Sequence, residues 1–330
     1  MKALFVLCLA LIAFAAAPAH ANDSTAELRP GGLVLTFSNG IELVSEDLFI
    51  SADEVRVDYV FHNRTDADID TIVAFPMPDL EGGIERNIAV PDDVSDNFLG
   101  FTTVMDGRDI APRLDQRAVV AGIDVTGELV ARGVPLLPGS ETADGALAAL
   151  ADDVAAEWVR RGIIAEDSYD DGSGWKTVRV ANWTLRSAYW WPATFPAGRP
   201  VAVSHRYRPS VGATAGLVFR SYDGKPSEEF DAYRRKYCMD EAFLRAVDKA
   251  SAKGYLTERR IAYVLTSGGN WASGTIGRFR LTVDKGSPAN LVSFCGSGVR
   301  KTGPTRFEMT AQDHYPDRDI DVLIVVPAAE

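Results

Sequence analysis

The sequence predicts a mainly β protein with two antiparallel β-sandwich-like halves and a helical insertion between them. Apolar and polar residues alternate with a period of two over much of the chain, which is typical of half-buried strands. Asn-Gly, Asp-Gly and Pro-rich segments separate these strands. One central stretch has helical periodicity instead. We therefore expect a signal peptide (1–21), an N-terminal sandwich (22–138), an insertion (139–175) and a C-terminal β-rich domain (176–330).

The first residues are typical of a secretory signal peptide. Lys2 precedes an apolar run from Ala3 to Ala17, and Ala19-His20-Ala21 places small residues at the two positions that signal peptidase recognises. We expect cleavage after Ala21 and export of the remaining chain. The alternative is an uncleaved membrane anchor, although the run is shorter than the roughly 20 residues that span a bilayer.

The N-terminal half contains the clearest strand patterns. In EVRVDYVFHN, one face carries Val55, Val57, Tyr59 and Phe61. A polar turn, NRTDADID, leads to a second strand, TIVAFPMP. The Asp106-Gly107 dipeptide predicts one tight hairpin, and Asn39-Gly40 predicts another between GLVLTF and IELVSEDLFIS.

The insertion has a different pattern. In ETADGALAALADDVAAEWVRRG, one helical face carries Leu147, Leu150, Val154 and Trp158, and Gly162 is placed to stop the helix. We expect one helix at about 143–161. The acidic segment EDSYDDGSGW that follows is expected to be a flexible loop.

Strand patterns return in the C-terminal half. Two long strands are expected on either side of Pro196-Ala197-Gly198, and a short helix is expected to start at an Asp240 cap. The later segments RRIAYVLTS, IGRFRLTVDK, NLVSFC, TRFEMTA and DIDVLIVV are all typical of strands.

Composition narrows the class of partner. Hydrophobic residues make up 46% and charged residues 24% of the chain, as in ordinary globular proteins. The formal net charge is −12, and no Lys/Arg run offers a surface for nucleic acid. We therefore predict no nucleic-acid partner and, after signal cleavage, no transmembrane segment.

Two cysteines remain after the predicted cleavage. In an oxidising compartment, Cys238 and Cys295 are most simply a disulfide. The alternative is a reactive thiol, which needs a nearby base, and no motif places His205 or His314 in that role.

Motifs for metal, phosphate and nucleophilic chemistry are absent. The histidines are widely separated, so neither a metal site nor a cofactor is predicted. Asp66, Asp68 and Asp70 alternate as in a calcium loop but lack its glycine and closing Glu, which favours a solvated turn. The glycines between Gly268 and Gly277 lead into a strand, whereas a phosphate-binding loop leads into a helix.

Aromatic residues form the main candidate binding surface. On two successive predicted strands, one face carries Trp183, Tyr189 and Trp191, and another carries His205 and Tyr207, while Trp190 points the other way. If exposed, such side chains form a platform for a glycan or a peptide. The alternative is that they belong to the sandwich core, because apolar faces of strands usually point inward.

Several blocks resemble the exported bacterial proteins of domain-of-unknown-function family 4424. They include FPAGRPVAVSHRYRPSVG, the Tyr237-Cys238 pair and IGRFRLTVDKGSPANLVSFC, and they extend over nearly the whole mature chain. The resemblance implies an exported, periplasmic protein of a Gram-negative bacterium and supplies no catalytic residues. VRVDYVFHNRTDADIDTIVAFPMPD, with GFTTVMDGRDI, also resembles the vault/inter-alpha-trypsin domain, an adhesive β-sandwich.

These observations favour a non-catalytic periplasmic module that binds a cell-envelope protein or glycan. The first alternative is a periplasmic hydrolase with a site near His205 or His314, where Asp313 precedes His314. Neighbouring residues of a strand point to opposite faces, so Asp313 and His314 are not expected to act together. The second alternative is a small-ligand carrier with a site near the 183–207 strand pair.

Overall fold

A computed structural model describes residues 23–29, 32–84, 88–214 and 216–327. The predicted signal peptide and its cleavage site lie outside the described residues. Within the described ranges, no helix has the length and apolar character needed to cross a membrane. The protein is mainly β, with several antiparallel sheets and few helices, as the sequence predicts.

The regular elements are numbered in chain order, strands and helices separately. The strands are β1 (Ser24–Arg29), β2 (Gly32–Thr36), β3 (Ile41–Ile50), β4 (Val55–Asn63), β5 (Ile69–Pro76), β6 (Leu80–Glu81), β7 (Ile88–Ala89), β8 (Thr102–Met105), β9 (Arg108–Ile110), β10 (Arg113–Val120), β11 (Ile123–Asp124), β12 (Ile164–Asp170), β13 (Trp175–Ala181), β14 (Thr184–Phe195), β15 (Pro200–Tyr207), β16 (Val211–Thr214), β17 (Leu256–Tyr263), β18 (Ala272–Asp284), β19 (Leu291–Phe294), β20 (Arg300–Lys301), β21 (Arg306–His314) and β22 (Ile320–Pro327). The helices are α1 (Thr126–Ala131), α2 (Glu141–Ala148), α3 (Asp152–Arg160), α4 (Phe230–Lys236) and α5 (Glu241–Ser251).

The strands form three larger sheets and one hairpin. The eight-stranded sheet has the order β20-β21-β18-β3-β4-β15-β8-β9. The seven-stranded sheet has the order β11-β10-β14-β5-β1-β2, with β6 beside β14. The five-stranded sheet has the order β19-β22-β17-β16-β7, and β12 pairs with β13. Among the strands that the structure describes, every pairing is antiparallel except that of β18 with β3.

The sheets combine strands from both predicted halves. β14 pairs with β5 and β10, β15 pairs with β4 and β8, and β18 pairs with β3. The segment Pro196–Gly198 does not close a hairpin, because β14 and β15 lie in different sheets. Strand periodicity fixes which side chains point inward, but it carries no information on which strand will be the neighbour. The division at 138 and 176 is therefore not a division between sheets.

The main core lies where the eight-stranded and seven-stranded sheets face each other, and it continues to the inner face of the five-stranded sheet. Its centre is aromatic, with Phe75, Phe101 and Tyr189 stacked at centroid distances of 5.1 and 4.3 Å. A second core joins α1, α2 and α3 to Trp183. A third packs α4 and α5 against β22.

The insertion differs from the prediction in two ways. The expected helix at 143–161 is two helices, α2 and α3, and the expected acidic loop is the hairpin of β12 and β13. The side chain of Arg179 bridges the break, because its guanidinium donates to the Leu150 carbonyl between the two helices at 2.7 Å and to Oδ1 of Asp152 at 2.7 Å. This contact satisfies a carbonyl that would otherwise need water, and it comes from β13, a strand outside the helices.

Local signals have mixed outcomes. Asp106-Gly107 forms the predicted hairpin, with both residues at positive φ, and Asp240 caps α5 by accepting from the Phe243 N–H. Gly162 follows α3 with φ +71, as expected for a helix stop. The prediction of a hairpin at Asn39-Gly40 is wrong, because β2 pairs with β1 whereas β3 pairs with β4 and β18.

The glycine-rich stretch continues into a strand, as predicted: Gly268 and Gly269 lie in a 3-10 helix (Thr266–Asn270), and Gly274 and Gly277 lie within β18 itself. Close packing explains the glycine at position 277. A Cβ atom on Gly277 would lie 2.7 Å from the carbonyl oxygen of Val44 on the parallel neighbour β3. We expect Gly277→Ala to lower the free energy of unfolding by about 1–3 kcal/mol in urea titrations. Gly145→Ala is the matched control, because Gly145 lies in α2 with open space around it and should gain about 0.5–1 kcal/mol. Equal effects of the two substitutions would contradict the close-approach explanation.

Candidate functional site

Most of the aromatic residues selected from the sequence lie in the core. The five that each expose 3% or less are Trp183, Tyr189, Trp191, His205 and Tyr207. Those of β14 and β15 meet across the two facing sheets, with the ring centroids of Trp191 and His205 5.4 Å apart. They do not form an exposed platform, and a ligand could reach them only if the sheets separated.

Trp190 is the exception among the selected residues. Its side chain points away from the core, is half-buried, and packs against the Arg113 guanidinium, which lies 4.8 Å from the ring centroid. This contact covers part of the ring. Trp190 therefore lies apart from the other five selected residues.

The core contains a buried contact between an aspartate and a histidine that sequence patterns do not reveal. Nε2 of His205 lies 2.9 Å from Oδ1 of Asp23, and both side chains are fully buried. Burial raises the pKa of Asp23, and the neighbouring His205 acts in the opposite direction. The indole N–H of Trp271 donates to the Asp23 carbonyl at 2.6 Å. These contacts fix the chain just before β1 inside the sandwich.

The other two described histidines lie in separate environments. Nδ1 of His62 lies 3.5 Å from a carboxylate oxygen of Glu42 at the surface. His314 stacks on Phe279 with centroids 4.7 Å apart, and burial lowers its pKa. The structure therefore does not bring His205 and His314 together.

The aspartate-rich turn has a local structural role. Oδ1 of Asp68 accepts from the Ala197 N–H at 2.9 Å, and Oδ1 of Asp70 accepts from the Thr194 hydroxyl at 2.5 Å. The turn thus holds the connection between β14 and β15. Among the residues that the structure describes, no cluster of His, Cys, Asp and Glu side chains could hold a metal ion.

Cys238 and Cys295 form the predicted disulfide, with their Cα atoms 5.0 Å apart. Cys238 comes just after α4 and Cys295 directly follows β19, so the bond ties the end of the helix to the five-stranded sheet. The Ser293 hydroxyl reinforces this junction by donating to the Tyr237 carbonyl at 2.9 Å. The disulfide therefore fixes the position of α4.

Helix α4 forms one wall of a cleft of about 1170 Å³. The opposite wall is the segment Pro78–Ile84, which includes β6 of the seven-stranded sheet, and the base includes β16, β17 and β22 of the five-stranded sheet. The lining includes six charged side chains: Asp79, Glu81, Glu229, Lys236, Arg260 and Asp321. Sequence reasoning selected none of these residues.

A buried hydrogen-bond network supports the base of the cleft. Glu258 is fully buried on β17, and its carboxylate accepts from the Tyr233 hydroxyl at 2.9 Å and from the Val218 N–H at 3.2 Å. The Tyr233 hydroxyl in turn accepts from the Arg260 guanidinium at 2.9 Å. Burial raises the pKa of Glu258, while the hydrogen bonds from Tyr233 and Val218 lower it.

Two more carboxylates of the cleft have perturbed acidity. Burial raises the pKa of Asp321, and Lys236, whose Nζ lies 3.4 Å away, opposes this change. Burial also raises the pKa of Asp79, and Arg186 opposes it from 3.2 Å. Desolvated charged groups gathered in one cleft are typical of functional sites, because folding retains them at a cost in stability.

The network makes Tyr233→Phe a direct test of this site. The substitution removes the hydroxyl between Glu258 and Arg260, and we expect the free energy of unfolding to fall by about 1–3 kcal/mol at neutral pH. Loss of the donated hydrogen bond raises the pKa of Glu258 further. The destabilisation should therefore shrink as pH falls toward the ordinary glutamate value of 4.5, where the carboxyl is protonated in both proteins. Urea titrations at several pH values would measure both effects.

Tyr222→Phe is the matched control, because Tyr222 is fully exposed. Its effect should stay within about 0.5 kcal/mol at every pH. If Tyr233→Phe behaved like this control, the network would contribute nothing measurable to the fold.

One sequence signal could have indicated the site. In LTERRIAY, Leu256 and Glu258 occupy the same face of the strand, so the alternation places a glutamate at an inward position. A buried carboxylate needs partners, and the sequence does not show that Tyr233 and Val218 supply them. The facing segment Pro78–Ile84 has no comparable signal.

Comparisons with known proteins identify the family to which the chain belongs. No curated protein matches the chain. Among solved structures, the chain is similar to a Legionella pneumophila protein named as a nutrient-binding candidate, with 14% identity, a TM-score of 0.44, and coverage of 93% of this chain and 70% of that one. A similarity at this level assigns neither ligand nor function. The model of a domain of unknown function (DUF4424) matches residues 21–323, which confirms the resemblance found in the sequence. The chain therefore belongs to the DUF4424 family.

Proposed function

We propose that this protein is an exported, periplasmic module that binds a cell-envelope partner without catalysing a reaction, and that the partner binds in the cleft between α4 and the segment Pro78–Ile84. The observation that carries the proposal is the cleft of about 1170 Å³, whose lining includes six charged side chains. Burial raises the pKa of two lining carboxylates, Asp79 and Asp321, and of Glu258 beneath the base. Large pockets with a few well-placed polar groups are the usual binding sites of proteins.

The chemistry of the lining supports binding more than catalysis. No histidine or cysteine lines the cleft among the described residues. Burial raises the pKa of Tyr233, so its hydroxyl remains a donor at neutral pH and does not act as a base. Glu258 is occupied by the Tyr233 and Val218 hydrogen bonds. The groups present therefore suit recognition through charge and hydrogen bonding.

The export part of the proposal rests on the sequence. The apolar N-terminal run and the small residues before Asn22 favour secretion, and a disulfide is typical of oxidising compartments. A module in the periplasm would be exposed to envelope proteins, glycans and small solutes.

Site-specific photo-crosslinking in living cells would test the proposal. A photoreactive residue at Asn182, which is exposed at the cleft, should capture a discrete envelope component. The same residue at exposed Tyr222, which does not line the cleft, is the matched control. The capture should be lost when Glu81→Lys and Glu229→Lys are combined, because these substitutions reverse two charges of the cleft lining. Both side chains are exposed, so their replacement should leave the fold intact.

Three outcomes would contradict the proposal. Identical crosslinked products from both positions would show that the partner does not bind in the cleft. A small molecule retained by the purified protein and displaced by the cleft substitutions would favour a ligand carrier. Turnover of a substrate that is abolished by the cleft substitutions would make the protein an enzyme.

A further inference from the structure

We propose that the occupant of the cleft is an extended peptide segment rich in Lys or Arg, which adds as a strand to an unpaired sheet edge at the cleft wall. This inference rests on the proposed function and specifies the chemistry of the partner. It is carried by three features of the cleft: the open edge of β6, the dimensions of the cleft and its charge.

The first feature is the pairing of the strands that line the cleft. Within the described part of the chain, β6 pairs only with β14, so its other edge has no strand beside it. Unpaired strand edges bind extended chains through backbone hydrogen bonds.

The edge on the β6 side is rigidly held. The Gly82 N–H donates to the Trp183 carbonyl at 2.9 Å, and the Gly83 N–H donates to the Ala181 carbonyl at 2.7 Å. Both acceptors precede β14, so these two bonds hold the chain directly after β6 in place. The open edge is that of β6 itself, Leu80–Glu81. A fixed edge can pair with a short peptide without first becoming ordered.

The second feature is size. A volume of about 1170 Å³ exceeds the range of about 300–1,000 Å³ that is usual for small-molecule pockets. Ile84 at the wall is 52% exposed, and Tyr233 presents a half-buried ring. These surfaces suit the aliphatic parts of lysine and arginine side chains, whose charged ends reach outward.

The third feature is charge. Four carboxylates and two cationic side chains line the cleft. Both cations already have partners, since Lys236 lies 3.4 Å from Asp321 and Arg260 donates to Tyr233. Glu81 and Glu229 are exposed and form no ion pair with another described residue. The charge left for a partner is therefore negative, which favours a basic segment over an acidic one.

Fluorescence anisotropy with three synthetic peptides would test this inference on the purified protein. The first peptide alternates Lys and Thr, the second alternates Glu and Thr, and the third is the Lys-Thr peptide with every backbone nitrogen methylated. We expect the first to bind at least about tenfold more tightly than either of the others, because the second reverses the charge and the third removes backbone donors.

Matched charge substitutions locate the binding. Glu81→Lys with Glu229→Lys should weaken binding of the Lys-Thr peptide by about tenfold or more. Asp53→Lys with Asp109→Lys makes the same change of net charge at exposed positions that do not line the cleft, and it should leave the affinity within about twofold. Equal weakening by the two pairs would show that only the overall charge of the protein attracts the peptide.

Other results would overturn the inference and separate it from the proposed function. Equal affinity for the methylated peptide would exclude strand addition, and equal affinity for the Glu-Thr peptide would exclude a basic preference. If no peptide bound while an envelope component still crosslinked at Asn182, the inference would fail and the proposed function would stand. If neither peptide binding nor crosslinking occurred, both would fail.

Discussion

Reduction of the disulfide between Cys238 and Cys295 should lower the free energy of unfolding by about 4 kcal/mol. The bond joins residues 57 positions apart, so breaking it returns considerable conformational freedom to the unfolded chain. Cys238→Ser with Cys295→Ser should have the same effect as reduction. Urea titrations of the oxidised protein, the reduced protein and the double variant would measure it.

The backbone at Cys238 supplies a control for this prediction. Cys238 has φ +51, a left-handed conformation that costs a side-chain-bearing residue about 1 kcal/mol relative to glycine. Cys238→Gly with Cys295→Ser should therefore be less destabilising than the double serine variant by about that amount. A double serine variant as stable as the oxidised protein would contradict the structural role of the bond.

The same bond should matter for binding. Tyr237 and Lys236 line the cleft immediately before Cys238. Without the covalent tie, α4 depends on the packing of its side chains and on hydrogen bonds such as that from Ser293. The reduced protein should therefore bind its partner more weakly even at temperatures where it remains folded.

His205→Ala should be more destabilising than Gly277→Ala or Tyr233→Phe, lowering the free energy of unfolding by about 3–5 kcal/mol at neutral pH. The substitution leaves the Asp23 carboxylate fully buried without the imidazole that it contacts. It also opens a cavity beside Phe75 and Trp191, whose ring centroids lie 4.8 and 5.4 Å from that of His205. Urea titration at pH 7 would measure the loss.

The dependence on pH identifies the cause of this loss. Burial raises the pKa of Asp23 and His205 opposes it, so removing His205 should raise that pKa further. A carboxyl whose pKa is higher in the folded than in the unfolded protein binds its proton more tightly when folded, so its contribution favours folding at low pH. The gap between variant and parent should therefore narrow as pH falls toward the ordinary aspartate value of 3.8.

Two further variants show whether the loss of stability comes from the contact between His205 and Asp23. His62→Ala removes a partly exposed histidine beside Glu42 and should cost less than about 1 kcal/mol. Adding Asp23→Asn to His205→Ala removes the buried charge, so it should recover part of the lost stability at pH 7. If the double variant were less stable than His205→Ala by the full cost of Asp23→Asn alone, the two side chains would not be coupled.

Much of the local structure could be predicted from neighbouring residues. Period-two alternation indicated the strands around Val55–Phe61 and Thr184–Tyr207, Asp106-Gly107 specified a tight turn, and Asp240 specified a helix start. The two cysteines that follow the predicted signal peptide predicted the disulfide that the structure contains. These features depend on short-range sterics, capping and redox chemistry, which neighbouring residues or the compartment are enough to fix.

The pairing of the strands, by contrast, could be determined only from the tertiary structure. Alternation placed Trp191 and His205 on strands with one apolar face. It could not show that β14 and β15 lie in facing sheets and bury those residues together. Arg179 of β13 bridges the break in the predicted helix, and Tyr233 forms a hydrogen bond with Glu258, 25 residues away in the chain. The cleft exists because two sheets and α4 meet there, and no local pattern encodes such a meeting, since strand pairing and core packing are long-range choices.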